Sequence, residues 1–252
     1  MIMLLTRGLL ATSCLVLGAC AHSPIDDPSD PLEPVNRAMF TFNENLDRYV
    51  AKPAAKGYNA ALPEEFRIGF HNFLINLTYP TVIVNDALQG KLIQSGRDTT
   101  RFVMNSVVGI GGLLDPAAMV GLERNDEDFG QTLGVWGVGP GWYLMLPFFG
   151  PSSNRDLVGR VGSSVTNPLS YARTSLSLPV TVFSLIDTRA QLLGAESVLD
   201  QQFDRYIFVR SAYLQRRQSL VYDGNPPREE VDYGDDVAPS TPEAPQLPVP
   251  QK

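Results

Sequence analysis

The sequence predicts an all-α domain over residues 32–222, and three observations support this class. Apolar residues recur at spacings of three and four along several segments, which is the periodicity of a helix with one apolar face. Proline and acidic residues open these segments, as at Glu33-Pro34 and Pro63-Glu64-Glu65, where the first turn of a helix favours both. Beyond the first twenty residues no run of about 18 apolar residues occurs, so no single helix is predicted to cross a bilayer.

The N-terminal segment, residues 1–19, has the pattern of a bacterial lipoprotein signal peptide. Arg7 provides positive charge, the apolar stretch after it is too short to span a bilayer, and the segment leads into Leu17-Gly18-Ala19-Cys20. We expect Cys20 to be the lipidation site, with residues 20–31 as the acylated tether, because two or more acyl chains give a stable membrane anchor. An ordinary secretory signal with a chance cysteine is the alternative. Alanine rather than aspartate after the cysteine favours the outer membrane, on its periplasmic side.

The first helical pattern begins at Glu33, and its apolar stripe runs from Val35 to Tyr49. Pro53 is predicted to end this helix, because proline lacks a backbone donor and clashes with the preceding turn. A second, short helix is predicted from Ala54 to Leu62.

The next apolar arc extends from Phe66 to Leu77 and indicates a third helix. Tyr79-Pro80 is predicted to interrupt the chain before a short helix from Val82 to Leu88. A further helix is predicted from Leu92 to Val108. Its inward-facing residues are predicted to be Phe102, Val103 and Val107.

The middle of the chain, residues 109–151, is apolar and aromatic but heavily punctuated by glycine and proline. One long helix is excluded there, because each interior proline costs about 3 kcal/mol and each glycine about 1 kcal/mol. We predict an irregular Gly/Pro/aromatic loop region, followed by a helix that Ser152 caps.

Two helices are predicted to close the domain. The first extends from Val180 to Leu193, with Val182, Phe183, Ile186 and Leu193 facing inward. The second extends from Glu196 to about Val221, which corresponds to roughly 39 Å at 1.5 Å per residue. Its acidic residues come early and its basic residues come late, an arrangement that suits the helix dipole.

Charge separates the C-terminal tail, residues 223–252, from the rest of the chain. The tail holds seven acidic residues, two basic residues and seven prolines, and so carries −5 of the net charge of −7. This composition predicts disorder, since it offers little apolar surface to bury. The remaining body is nearly neutral, so net charge gives no basis for nucleic-acid binding or for strong attraction to anionic lipid.

Neither a catalytic nor a metal-binding motif is found in the sequence. The chain has two histidines and no Gly-x-Ser-x-Gly motif, whereas nucleophilic catalysis needs a nucleophile, a base and an orienting group. His22 lies in the tether, and His71 lies on a polar helix face, where a structural or solvated role is expected. Asp126-Glu127-Asp128-Phe129-Gly130 departs from the calcium-loop pattern and is predicted to be a solvated turn. We therefore predict a protein that is not an enzyme and that uses neither metal nor cofactor.

Several motifs, in a fixed order, resemble the MlaA (VacJ) family of lipoproteins over roughly residues 20–222. The motifs are Asp30-Pro31-Leu32-Glu33-Pro34-Val35-Asn36-Arg37, Phe129-Gly130-Gln131-Thr132-Leu133-Gly134, Gly137-Val138-Gly139-Pro140-Gly141, Leu146-Pro147-Phe148-Phe149-Gly150-Pro151-Ser152, Asn154-Arg155-Asp156 and Thr188-Arg189-Ala190-Gln191-Leu192-Leu193. The Pro-rich acidic tail lies outside the resemblance.

The resemblance implies a ring of amphipathic helices in the inner leaflet of the outer membrane, around a central channel. It also implies association with a porin trimer, removal of misplaced phospholipid from the outer leaflet, and delivery of that lipid to a periplasmic carrier of the MlaC type. A lipid-handling protein needs a polar path, because burying a phosphate without partners is very costly. Two alternatives stay open: a structural lipoprotein that scaffolds porins without transport, and a lipid-modifying enzyme with an unrecognised site.

Two groups of residues are candidates for the lipid path. Glycines of the central segment are predicted to form the hinge of a mobile gate, since glycine tolerates large backbone changes, and tight turns are the alternative. These hinge candidates are Gly137, Gly139 and Gly141. The candidates for contacts with headgroups or for lining the path are Arg97, Arg101, Arg155, Arg173, Phe129, Trp136 and Trp142.

Overall fold

The structure is a computed structural model that describes residues 30–227. The predicted signal peptide, the lipidation site Cys20, almost all of the tether and the acidic tail from residue 228 onward lie outside this range. Within it the predicted all-α class is confirmed, because helices make up most of the chain. The described range contains no helix that combines the length and the apolar content needed to cross a membrane.

The helices follow one another with short connections. In order they are α1 (Glu33–Leu46), α2 (Lys52–Ala61), α3 (Glu64–Leu88), α4 (Leu92–Val107), α5 (Pro116–Met119), α6 (Phe129–Val135), α7 (Asn154–Thr166), α8 (Thr174–Gln191), α9 (Glu196–Asp200) and α10 (Arg205–Val221). A π-helical turn, Asp47–Ala51, joins α1 to α2, and 3-10 turns, Pro168–Tyr171 and Leu192–Ala195, flank α8. Strands β1 (Tyr143–Leu146) and β2 (Gly150–Ser153) form an antiparallel hairpin between α6 and α7.

Proline interrupts the helices less than the sequence predicts. Pro53 lies in the first turn of α2, where its missing N–H costs little, so the predicted break at Pro53 is wrong. Pro80 lies inside α3, which continues to Leu88 instead of restarting. Tyr79 and Val82 are buried on either side of Pro80. Burial of such side chains contributes roughly 1.5–3 kcal/mol each, which offsets the cost of about 3 kcal/mol for one interior proline.

Two capping residues set helix boundaries that differ from the prediction. The helix predicted from Glu196 to Val221 is divided into α9 and α10. Asp204 caps α10, because its carboxylate accepts a hydrogen bond from the backbone N–H of Ile207 at 3.1 Å. Ser153, rather than Ser152, caps α7 by accepting from a backbone N–H of its first turn at 3.1 Å.

Two asparagines of α1 bind the hairpin, which lies in a segment that the sequence predicts to be irregular. Asn36 Nδ2 donates to the carbonyl of Tyr143 at 3.0 Å, and Asn36 Oδ1 accepts from the N–H of Met145 at 2.8 Å. Asn43 repeats this pattern at the end of β1, with both distances at 2.9 Å. Met145 stands opposite Pro151, which has no N–H to donate, so the backbone groups of Met145 face α1. The helix thereby takes the position of a third strand.

The interior is polar, and much of the apolar surface faces outward. The buried residues of α4 are Asp98, Arg101 and Asn105, whereas Val103 is 51% exposed and Val107 is 75% exposed. The predicted inward orientation of Val103 and Val107 is therefore wrong. The polar stripe of this helix faces the interior, and its apolar side chains face out.

The same reversal occurs in part of α8, where Asp187 is buried while Val182 and Phe183, both predicted to face inward, are about half exposed. Ile186 and Leu193 pack against a buried cluster, as predicted. Within residues 30–227, six of the eleven buried apolar residues form two small clusters, and the others are Leu74, Tyr79, Val82, Ala117 and Val221. One cluster contains Ala55, Tyr58 and Ala190, and the other contains Tyr143, Met145 and Tyr206. The molecule thus buries little apolar surface for its size and leaves broad apolar faces without a partner.

Candidate functional site

Two adjoining cavities lie between α3, α4 and the segment that follows α5. The first has a volume of about 390 Å³ and the second a volume of about 410 Å³. Residues 121–124 line both, so this short segment separates the two. The other residues of the first lining are Asn72, Ile75, Asn76, Tyr79, Arg101, Asn105, Asp115 and Ala118, and those of the second are Gln94, Arg97 and Asn125. The first lining is polar and apolar in about equal parts, and the second is mainly polar.

Arg101 lines the first cavity, as expected for a residue of the lipid path, but its charge is compensated. Its guanidinium forms an ion pair with Asp115 and donates to the carbonyl of Leu122. Asn105 Nδ2 donates to the same carboxylate at 2.9 Å, and Tyr79 lies beneath the guanidinium, 5.8 Å from the ring centroid. These contacts fix Arg101 as part of the wall and compensate its charge.

Three buried polar atoms of the first lining, Asn76 Oδ1, Tyr79 Oη and Arg101 Nε, have no hydrogen-bond partner in the part of the chain that the structure describes. Buried groups of this kind normally have a partner, because leaving one unpaired costs about 1–3 kcal/mol. Burial also raises the pKa of Tyr79, which stays protonated and keeps a donor at the cavity wall. The first cavity can therefore bind a polar ligand.

Behind the second cavity lie two buried carboxyl groups, Asp86 of α3 and Asp98 of α4. Asn125 bridges them, since its Nδ2 donates to Asp86 Oδ1 at 3.2 Å and to Asp98 Oδ2 at 3.3 Å. Burial, together with the neighbouring Asp98, raises the pKa of Asp86 to about 8. Asp86 is therefore mostly protonated at neutral pH, which reduces the negative charge behind the cavity.

Arg97 and Arg124 supply the positive charge of the second cavity. Arg97 is exposed, and between residues 30 and 227 it forms no ion pair. Arg124 lines both cavities, and its guanidinium contacts His71 Nε2 at 3.5 Å. Among the described residues neither arginine forms an ion pair with a carboxylate, which distinguishes the two from Arg101.

A third cavity of about 250 Å³ lies on the other side of His71, between α2, α3 and α8. Its centre is Asp187, which contacts His71 Nδ1 at 2.8 Å and accepts from Tyr58 Oη at 3.1 Å. Burial and this carboxylate raise the pKa of Tyr58 to about 12, so the phenol remains a donor. His71 has the structural role expected of it, and it connects this cluster to Arg124.

The other two arginine candidates line none of the three cavities. Arg155 is buried beside Asp156, at 3.2 Å, in an ion-pair network that includes Arg217. Arg173 is exposed at the start of α8. Their predicted role in headgroup contact stays a prediction without support from the cavities.

The three aromatic candidates also lie away from these cavities. Trp136 and Phe129 pack edge to face with ring centroids 6.0 Å apart, and Trp136 Nε1 donates to the carbonyl of Leu88 at 3.2 Å. Trp136 and Trp142 are each about half exposed. Because none of the three rings lines one of the three cavities, their place on the lipid path stays a prediction.

The hinge glycines differ in backbone conformation. Gly137 and Gly141 have φ angles of 90° and 68°, in the left-handed region that favours glycine, whereas Gly139 does not. A side chain at Gly139 would meet open space. The conformations of Gly137 and Gly141 agree with the alternative of tight turns, and the hinge stays a prediction.

Several residues of the site were not predicted from the sequence. For one group the sequence does contain a signal, because polar residues of α4 recur at spacings of four, three and four and so form one stripe. The residues missed on this stripe are Gln94, Asp98 and Asn105, and the stripe also contains the predicted Arg101. Arg124 lies in an extended segment without periodicity, and the pairing of His71 with Asp187 joins distant parts of the chain, so no local pattern identifies either.

Comparison with known proteins agrees with this architecture. A family model described as MlaA lipoprotein matches residues 28–220. Two proteins named intermembrane phospholipid transport system lipoprotein MlaA, from Shigella flexneri and Escherichia coli (strain K12), are each 40% identical to this chain over 228 residues. Each match covers 88% of this chain and 91% of the relative.

A solved structure, described as "Structural basis for maintenance of bacterial outer membrane lipid asymmetry", is similar with a TM-score of 0.71 at 40% sequence identity. The similarity covers 77% of this chain and 99% of that chain. The fold, the order of motifs and the extent of both matches therefore agree, and the chain belongs to the MlaA lipoprotein family.

Proposed function

We propose that this chain is an outer-membrane-associated lipoprotein that transports phospholipid and so maintains lipid asymmetry. In this proposal it removes misplaced phospholipid from the outer leaflet through an internal polar passage and passes it to a periplasmic carrier of the MlaC type. Family membership supports the general role, because its relatives are named for intermembrane phospholipid transport. The observation that supports an internal passage is the reversed distribution of side chains. Polar side chains and cavities lie inside, and apolar side chains lie outside.

The apolar exterior suits a body that lies in one leaflet of a membrane. Large apolar side chains are exposed on several elements, and they include Val107, Ile110, Met119, Phe148, Phe149, Val161, Val165 and Leu176. Burying such a side chain contributes roughly 1.5–3 kcal/mol, so immersing several in acyl chains outweighs the marginal binding of a single lipid anchor. The proposal therefore locates the body in the inner leaflet, on the periplasmic side, with the anchor at Cys20 and a porin trimer as neighbour.

The polar interior suits the headgroup of the transported lipid. A phosphate that leaves water needs partners, since burying an ion without them is very costly. The first two cavities offer about 390 and 410 Å³, a size that accommodates a small polar ligand, and their walls carry amides, a phenol and guanidinium groups. The acyl chains would stay against the apolar exterior while the headgroup follows the polar lining.

Transfer of labelled phospholipid tests the proposed function. The full-length acylated protein and a porin trimer are reconstituted in vesicles of phosphatidylethanolamine and phosphatidylglycerol, with a soluble MlaC-type carrier as acceptor. We expect the carrier to gain intact labelled phospholipid only when the protein is present. If nothing is transferred while the protein stays on the vesicles, a scaffolding role replaces transport, and if lysophospholipid is recovered, the protein is an enzyme.

A matched pair of variants tests whether the cavities are the passage. Ala118 lines the first cavity, whereas its neighbour Met119 is 88% exposed and is not part of the lining. We expect Ala118→Trp to fill the cavity and to lower the transfer rate strongly, and Met119→Trp to leave the rate unchanged. Equal rates for the two variants, with both folded by circular dichroism, would remove the first cavity from the route.

A further inference from the structure

The second cavity brings together two arginines that form no ion pair within residues 30–227. Arg97 extends from α4 and Arg124 from the segment 122–128, and both line this cavity of about 410 Å³. Glu123 lines it too, yet among the described residues it forms no ion pair with either arginine. Uncompensated guanidinium groups that converge on a cavity attract an anion, and their planar donor forks fit the oxygens of phosphate.

His71 orients Arg124 without neutralising it. His71 Nδ1 contacts the carboxylate of Asp187 at 2.8 Å and the side-chain amide of Gln191 at 2.6 Å. The other ring nitrogen, Nε2, faces the Arg124 guanidinium at 3.5 Å, and with the proton on Nδ1 it accepts a hydrogen bond from that guanidinium. Asp187 is buried and is also bonded by Tyr58 and Gln191, so the imidazole has a fixed orientation. The single long contact to His71 directs the guanidinium while leaving most of its donors available.

We propose that Arg97 and Arg124 form a phosphate-binding site in the second cavity, and that His71, held by Asp187, positions Arg124 there. This inference rests on the proposed function and specifies the part of the lipid that is recognised. The ligand is the phosphodiester anion of a glycerophospholipid headgroup. Arg124 lines both cavities, so the anion bound there lies at the segment that separates them.

Substrates with and without phosphate test the site in the reconstituted transfer assay. We expect Arg97→Gln/Arg124→Gln to lower phosphatidylglycerol transfer roughly ten-fold, which corresponds to about 1.4 kcal/mol of lost interaction. Transfer of diacylglycerol with the same acyl chains should not change. Arg216→Gln, an exposed arginine outside the cavities, is the control and should transfer both lipids like wild type. Unchanged phosphatidylglycerol transfer, or equal loss for both lipids, would overturn the proposal.

Two further measurements distinguish a failure of the site from a failure of transport. Wild type that transfers neither lipid would contradict the proposed function itself, whereas normal wild-type transfer with an unaffected double variant contradicts the site alone. Calorimetric titration with inorganic phosphate identifies the source of the anion. If both arginines are needed to bind free phosphate but not to transfer phospholipid, the assignment to a headgroup is wrong.

The positioning role of His71 has its own test. His71→Leu removes the acceptor and should lower phosphatidylglycerol transfer, whereas His71→Gln keeps an acceptor at that position and should restore most of it. In an Arg124→Gln background His71→Leu should have no further effect, because coupled residues are not additive. A loss that persists in this background, or that His71→Gln fails to restore, would show that His71 acts on the fold and not through Arg124.

Discussion

In the hairpin junction, which comprises α1, the hairpin, α6, α7 and α10, basic side chains form ion pairs with acidic ones. Along the cavities Arg101 forms such a pair, whereas other arginines do not. In the junction Arg217 binds Asp128 at 2.6 Å and Asp156 at 2.8 Å, and Tyr213 donates to Asp156 as well. Along the second cavity Arg97 and Arg124 have no such partner among residues 30–227. The junction fixes chain segments to one another, whereas the second cavity keeps charge available for a ligand.

The loss of folding stability caused by removing an arginine should therefore differ between the two regions. Removing one member of a buried ion pair leaves the other as an uncompensated charge, which is strongly destabilising. Removing an arginine that has no protein partner costs little stability and affects only the binding of the ligand. Stability measurements on the junction and transfer measurements on the cavity test this contrast from opposite sides.

The largest effect on stability is expected from Arg217→Leu. The change leaves Asp128 and Asp156 without their shared cation, so we expect the free energy of unfolding to fall by about 3–5 kcal/mol, measured by urea denaturation. Arg216→Leu is the matched control, because Arg216 is 74% exposed and its ion pair with Asp126 measures 3.8 Å. That control should change stability by less than about 1 kcal/mol. Similar losses for the two variants would contradict the contrast.

The same network predicts a dependence on acid. Burial opposes ionisation of Asp128 and Asp156, but hydrogen bonds and the charge of Arg217 lower the pKa of both below the usual range. A lowered pKa contributes stability at neutral pH that is lost as the pH falls through the ordinary carboxyl range toward the folded-state pKa. Wild type should therefore lose stability on acidification more steeply than Arg217→Leu.

A smaller effect on stability, with the opposite dependence on pH, is expected at Asp86. Its folded-state pKa of about 8 lies above the ordinary value of 3.8, so its contribution to stability is complete below pH 4 and is lost as the pH rises through 8. Asp86→Asn keeps the shape without titrating. We expect it to be more stable than wild type by about 1–2 kcal/mol at pH 9, where a buried charge is costly, and to show a flatter pH profile. The exposed Asp126→Asn is the control, and a profile unchanged in Asp86→Asn would refute the assignment.

The smallest effect on stability is expected in the segment 137–141, which contains the three hinge candidates. Gly137→Ala should cost about 1–2 kcal/mol, because an alanine with a φ of 90° is strained. Gly139→Ala should stay within about 0.5 kcal/mol, as expected for an open surface site. Thermal unfolding and lipid transfer are measured together for both. A loss of transfer at Gly139→Ala without loss of stability would favour the hinge, and a loss that follows stability would favour tight turns.

The positions of helices were predictable where periodicity is strong, but the buried face was not. Alternation of polar and apolar residues marks α4 as a helix whichever face is inside. The prediction that Val103 and Val107 face the interior assumed that water surrounds the helix bundle. In the structure the polar stripe with Asp98 and Arg101 is the buried one. The period of a pattern determines the element, and the solvent around it determines the orientation.

Single residues were less predictable, because their roles depend on partners distant in the chain. Arg97 and Arg101, one turn apart, were both predicted on the lipid path and both line a cavity. Only the fold shows that Asp115 compensates Arg101. Arg155 lies in a motif of the family resemblance, but only the fold shows that it is buried beside an Asp156 whose other partners, Arg217 and Tyr213, are distant in the chain.

The pairing of α1 with the hairpin has a consequence for molecules that are crowded in two dimensions. An unpaired strand edge is a template on which another chain can add a strand. Asn36 and Asn43 occupy that edge of β1 with side-chain amides, so the edge is sealed from within the same molecule. Copies that diffuse in the plane of a bilayer can then collide repeatedly without seeding an extended aggregate.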